Sequence, residues 1–485
     1  MVISSQLPLL LLAAWVIYAT SLAIYRLCLS PIAKFPGPKL AALTKWYEAY
    51  YDIVYKNGGQ FSFKVQEMHR RYGPIVRINP TELHVSDAEY FEELYTKNPK
   101  ADKLEWMAYR FGIPSNTFAT VPHELHRLRR AALNPMFSKR AIMKYEPVIR
   151  EKLALLCKQI ADYNATGKIV MLHNGYTAFI GDVTMEYAFG FCYDKLKSPG
   201  FKDSMHEAFL AANRFGHVQT HFPFFLPDLV ALCTRLTRGE DLSSKPVSHP
   251  TVMYEVLAST LPQTEKTIIR LVDESATVVG AGIMTTAWVL SVTTFHVTNN
   301  ASIQHKLRNE LEAALPDPTQ PLDWVKLEQL PYLAACVKEG LRLGFGVATR
   351  MPRLAEDATR YKEWVIPPRT PVSMALLDLM LDESVFADPH AFVPERWLGN
   401  PKTASGEPLE HYLHPFGGGS RICLGLNLAY AEIYLGLAAI FRRFTFELYE
   451  TDESDFHIQY DFFMPIAKLD SKGLRVTVTS DVLGG

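Results

Sequence analysis

Phe416-Gly417-Gly418-Gly419-Ser420-Arg421-Ile422-Cys423-Leu424-Gly425 carries one cysteine at the end of a glycine-rich loop, and the residues after it decide how that cysteine is read. Leu424, Leu428, Ile433 and Leu435 recur at helical spacing, so Cys423 stands just ahead of a helix start. Free N–H groups and the positive end of the helix dipole favour thiolate over thiol there, which makes Cys423 a candidate nucleophile or metal ligand. The glycines let the backbone pass close to a flat partner where a Cβ would collide. Arg421 adds a permanent cation suited to a carboxylate. A lone cysteine after a flexible turn is more often a buried structural residue, so the rest of the chain has to decide.

The 485 residues are 48% hydrophobic and 21% charged, an ordinary globular composition able to bury a large core. A net charge of −1 gives no argument for nucleic acid. Six cysteines are scattered without a C-x-x-C pair, so neither a zinc framework nor disulfides are indicated, and a reducing compartment fits. His123-Glu124-Leu125-His126 is not a zinc-protease signature, because Arg127 stands where the second histidine is needed. Leu7 to Tyr25 is an uncharged apolar run spanning roughly 28 Å, close to the ~30 Å hydrocarbon core. Met1 to Gln6 carry no charged side chain and Arg26, Lys34, Lys39 and Lys45 follow the run, which argues for a signal anchor with the remainder on the cytosolic side. Pro31, Pro36 and Pro38 around Gly37 then make a stiff connector.

Further along, Pro74–Ile78 and Leu83–Val85 read as a hairpin. Residues 101–121 are irregular and aromatic. His126 and Arg130, four apart, share a helix face. Residues 215–225 are rich in aromatics and histidine. Glu265 to Asn299 predicts one long interior helix with Ala281-Gly282-Ile283-Met284-Thr285-Thr286 at its centre. A mid-helix glycine costs ~1 kcal/mol against alanine, so Gly282 implies a close approach. Glu339 and Arg342 lie three apart on a helix, and Phe392-Val393-Pro394-Glu395-Arg396-Trp397 follows. Asp461 to Pro465 and the alternating Leu474, Val476 and Val478 predict a terminal hairpin.

The F-G-G-G-S-R-I-C-L-G loop resembles the haem-ligand loop of the cytochrome P-450 superfamily. Three other stretches agree with it in order: His126-x-x-x-Arg130, the A-G-I-M-T-T segment, and E-x-x-R followed by F-x-P-E-R-W. Leu133-Asn134-Pro135-Met136-Phe137-Ser138 is similar to fungal members of secondary metabolism, such as the trichodiene oxygenase group. The resemblance implies a mainly α fold with small β-sheets (α+β), preceded by one N-terminal transmembrane helix. It implies an anchor over residues 1–30, a proline-rich hinge over 31–40 and a single catalytic domain over 41–485. The cofactor would be haem b, iron protoporphyrin IX, with Cys423 on the iron and its thiolate favouring O–O cleavage. His126, Arg130, Arg350 and Arg421 would hold propionates, and Phe416 and Gly425 would frame the thiolate. Thr285, with Thr286, would manage protons, and Glu339, Arg342 and Arg396 would form a structural clamp. Phe111, Phe118, Ile283, Met284, Val347, Phe462 and Phe463 are the expected substrate pocket.

The implied reaction inserts one oxygen atom from O2 into a hydrophobic small molecule, a terpenoid or other secondary-metabolite intermediate. Electrons would come from NADPH–cytochrome P-450 reductase, with cytochrome b5 as a further donor. The catalytic domain would face the cytosol at the endoplasmic reticulum membrane. One departure stands out: the family's acidic position holds Met284, and a thioether cannot relay protons. A haem-thiolate isomerase or peroxide-using enzyme, and a non-catalytic haem- or lipid-binding protein, therefore stay open.

Overall fold

Ile268–Thr298 is one helix of 31 residues, and the rest of the main core is arranged against it. Thr267 caps its start, its side chain accepting from the Arg270 N–H. From Ile283 to Phe295 only Thr285 is not buried. A helix apolar on every side belongs in the interior. It packs against Leu172–Phe189, Pro331–Leu343 and the post-cysteine helix Leu426–Arg443. The computed structural model describes residues 2–98, 100–201, 206–222 and 249–484. Phe224 and Phe225 of the aromatic zone lie outside them.

The β structure is small, as expected. A five-stranded sheet runs in the order Ile75–Arg77, Leu83–Val85, Pro371–Ser373, Arg353–Leu354, Asp102–Lys103. Its first two strands form the anticipated antiparallel hairpin, with Ile75 opposite Val85. The terminal hairpin pairs Tyr460–Phe462 with Met464–Ile466. Arg475–Asp481 joins a separate three-stranded sheet.

The first helix, Val2–Ile24, stands apart. Leu9, Trp15 and Ile17 are each about two-thirds exposed. Its apolar stretch Leu7–Leu29 has a mean hydropathy of 2.1 and nothing buried, whereas the central helix, at 1.6, is two-thirds buried. Only the first has the character of a membrane anchor; the second is a core helix that passes the same test of length. The connector after the anchor is docked onto the globular domain. Ile32 and Phe35 are buried, Phe35 stacks on Trp364 at 4.9 Å, and the Arg77 N–H donates to the Pro36 carbonyl at 2.7 Å. At Gly37, with φ +157°, a Cβ would lie 2.4 Å from the Arg77 carbonyl oxygen.

Candidate active site

Cys423 sits as the sequence predicts, three residues before the helix beginning at Leu426. Its own N–H donates to the Phe416 carbonyl at 3.0 Å, closing the loop, and Phe416 packs on Tyr430 at 5.1 Å. The glycines serve the protein's own chain. A Cβ on Gly419, which has φ +68°, would meet the Tyr95 carbonyl oxygen, and one on Gly418 would meet the Phe91 ring at 2.8 Å. On Gly417 and Gly425 a Cβ would meet no atom within 4 Å. The protein packed around the sulfur raises the thiol above its ordinary pKa, while the N–H groups of Gly425 and Leu426 and the Arg130 charge favour the thiolate.

Close to the loop lies a set of buried and half-buried basic side chains. His126 is 4% exposed and Arg130 donates to the Ile422 carbonyl at 2.6 Å. Arg421 donates only to backbone carbonyls, Thr120 and Val121 at 2.7 Å each, and its Nε has no partner. Burial and the neighbouring Arg353 press its pKa down to about 9. Lys103, 3% exposed, is driven well below its usual range by burial and by Arg353, Arg421 and Arg130. Burial followed by Arg421 and Lys103 depresses His126. Among the described residues none of these five, Lys103, His126, Arg130, Arg353 and Arg421, forms an ion pair with a carboxylate. Such a cluster is costly unless an anion enters it.

Arg350 does not belong to this cluster, contrary to the sequence expectation. Its guanidinium is already neutralised, Nε to Glu82 and Nη2 to Glu48, both at 2.7 Å, deep beneath the sheet. Arg353, three residues on, faces Arg421 instead.

On the central helix, Gly282 does mark a close approach, and the partner is Thr184 of the neighbouring helix, 3.0 Å from a built Cβ. The Thr285 hydroxyl donates to the Ala281 carbonyl at 2.8 Å, and Gly346 lies against its side chain. Val347, next to Gly346, is half-buried, which keeps it a candidate for the pocket. Ile283 and Met284 are not pocket walls. Ile283 is 1% exposed and its Cδ1 faces Gly181, while Met284 is a buried member of the main core. Thr286 is hydrogen-bonded to Glu432, an acid that its sequence neighbourhood does not mark out. Glu432 is 1% exposed, one of its oxygens lacks a partner, and burial raises its carboxyl well above the usual carboxylate range.

The terminal hairpin splits its two phenylalanines. Phe463, at φ +72° in the turn, meets Phe111 edge-on at 4.9 Å and Phe118 at 5.9 Å. Phe462 turns the other way, 1% exposed and packed near Gly59 and His217, so it is core and not pocket. Behind Phe463 lies Arg110, 2% exposed, its Cζ 5.5 Å from the ring and its Nε unpartnered. Under the loop side, Glu339 is 0% exposed and accepts from both Arg342 Nε and Nη2, from Arg396 Nε and from Trp397 Nε1, all within 2.8–3.0 Å.

The cytochrome P-450 family profile matches residues 44–245 and 237–472. The chain belongs to the cytochrome P-450 family. A cytochrome P-450 monooxygenase of Sordaria araneosa, sdnE, is 48% identical over 97% of each chain. The tryptophan 6-hydroxylase fscE of Fusarium equiseti is 42% identical and the N-acetyltryptophan 6-hydroxylase ivoC of Emericella nidulans 40%, each over 96% of both chains. This P-450 is accordingly a monooxygenase of the fungal secondary-metabolism type, with a haem-thiolate cofactor. The residues present fit that group: a thiol on a glycine loop, beside basic side chains that lack an acid among the described residues, suits a cofactor with two carboxylates. Sequence spacing could not have found Lys103, which nothing local separates from Lys97 and Lys100 before it. Arg353 shares its short segment with Arg350, and nothing local separates the two.

Proposed function

We propose that this P-450 holds haem b between the Cys423 loop and the central helix and hydroxylates an aromatic, hydrophobic metabolite. The observation that carries the cofactor assignment is the cluster of Lys103, His126, Arg130, Arg353 and Arg421, buried or half-buried and without a carboxylate partner among the described residues. In this reading Lys103, His126, Arg130, Arg353 and Arg421 take the propionates, Phe416 and Gly425 frame the sulfur, and Cys423 ligates iron, whose charge deprotonates the thiol. Once bound, the haem supplies the iron at which dioxygen is activated. Thr285 and Thr286 hold and pass protons on the opposite face, with Glu432 the nearest buried acid. Residues 1–30 anchor the chain once in the endoplasmic reticulum membrane, 31–40 connect, and 41–485 form the catalytic domain facing the cytosol. NADPH–cytochrome P-450 reductase is the electron donor, with cytochrome b5 able to assist.

For the substrate, the trio Phe111, Phe118 and Phe463 offers ring edges and faces to a flat aromatic, and Arg110 offers a cation to a carboxylate beside it. Two relatives are named for tryptophan and N-acetyltryptophan hydroxylation, which supports an indole-bearing acid here. Membranes carrying the P-450 and its reductase should oxidise such acids with NADPH, one oxygen atom per product. Phe463→Ala should weaken substrate binding about tenfold, from ~1–1.5 kcal/mol of ring contact, read as the substrate-induced haem spectral shift. Turnover of terpenoids with no response to any aromatic acid would reject the substrate class.

Met284 has a further consequence. With Thr286 already bonded to Glu432, an acid at position 284 is not needed. Met284→Asp should therefore leave product formed per NADPH unimproved, and should lower the melting temperature by burying a carboxyl at a cost of roughly 1–3 kcal/mol. A rise in coupling would instead show that the missing acid limits the wild type, and would favour peroxide-driven or isomerase chemistry.

A further inference from the structure

Away from the cysteine loop, three side chains from three elements meet beneath the five-stranded sheet. They are His69 on the helix Phe61–Tyr72, His84 on the strand Leu83–Val85 and Asp378 on the helix Leu376–Met380. Their ligand atoms lie within 4.8 Å of one another. The hydrogen bonds fix both imidazole tautomers. His69 Nδ1 is 2.9 Å from the Gly73 carbonyl, which can only accept, so Nδ1 carries the proton. His69 Nε2 is then an acceptor, and His84 Nδ1, 2.8 Å away, must donate to it. That leaves the lone pair of His84 Nε2 facing Asp378 Oδ2 across 3.8 Å.

His84 Nε2 and Asp378 Oδ2 thus face each other without a hydrogen bond between them, and Gln66 hydrogen-bonds the Asp378 carboxyl. Both side chains are at least 95% buried, at 1% and 5% exposure, and neither atom has a hydrogen-bond partner among the described residues. The separation is too long for a shared proton. It suits an ion held by both atoms at ~2.0–2.2 Å from each. The relay from His84 through His69 to the Gly73 carbonyl is the arrangement that orients a metal-bound imidazole.

We infer that His84 Nε2 and Asp378 Oδ2 bind a divalent cation of the zinc class, with His69 as the positioning residue behind His84. Nitrogen and carboxylate donors in a small buried site favour zinc over magnesium or calcium. The site is separate from the haem and does not depend on the substrate reading. The haem-loaded, full-length protein, treated with excess zinc sulfate and dialysed, should retain about one zinc per chain, measured with the iron by plasma mass spectrometry. Asp378→Asn and His84→Ala should lose it while keeping the thiolate-type carbon-monoxide band that reports a loaded, folded P-450. His69→Ala should weaken zinc about 10- to 100-fold in competition with a chromophoric chelator. Zinc that dialyses away from the wild type, the result expected of a bridging water, overturns the inference. So does equal retention by Asp378→Asn.

Discussion

Cys423→Ala should yield a folded chain with no oxygenase activity. The thiol is accessible and gives little to packing, while its loop is held by bonds that alanine keeps: the Cys423 N–H to Phe416 and the seat of Gly419 on the Tyr95 backbone. Stability should change by no more than about 0.5 kcal/mol, as at sites outside the core. The reduced carbon-monoxide spectrum should lose its thiolate-type band, and NADPH-dependent product should fall to the level of reductase alone. An unchanged band in this variant would refute the ligand assignment.

Glu339→Gln should have the largest effect on folding. Glu339 and Arg342 are both fully buried, and one carboxylate serves two guanidiniums, an indole N–H and the Val393 N–H. The neutral amide leaves Arg342 charged and unmatched in the interior, a loss of about 3–5 kcal/mol. Against a total stability of roughly 5–15 kcal/mol, that is enough to divert most of the chain to aggregated, haem-free material. Thermal unfolding of whatever soluble fraction loads haem should show the drop. The exposed pair Arg369–Glu356 is the control: Glu356→Gln should cost under ~1 kcal/mol, because water already screens both charges.

The elements that proved legible in the sequence are those whose signal is local. Helical spacing after Cys423, the apolar length of the central helix and the hairpin ending in Leu83–Val85 all survive intact. The E-x-x-R and P-E-R-W stretches do meet, with Glu339 and Arg396 57 positions apart in the chain. Where local spacing is silent, the expectation failed. Arg350 and Arg353 follow the same helix, and the choice between them is made by Glu82 and Glu48, 268 and 302 residues away from Arg350. Phe462 ends a strand and Phe463 stands in the turn after it at φ +72°, so the two adjacent rings point apart, a backbone detail that the sequence does not mark. Gly282 announced a close neighbour without naming it, because Thr184 lies about a hundred residues earlier in the chain.

The docked connector carries one more consequence. Phe35 on Trp364, Gly37 against Arg77, and Arg77 Nη1 on the Arg26 carbonyl tie the end of the apolar stretch to the globular domain. A bilayer gripping Leu7–Leu29 therefore sets a latitude for everything below it. How high each surface loop rides above the lipid is written into the chain before any loop touches the membrane.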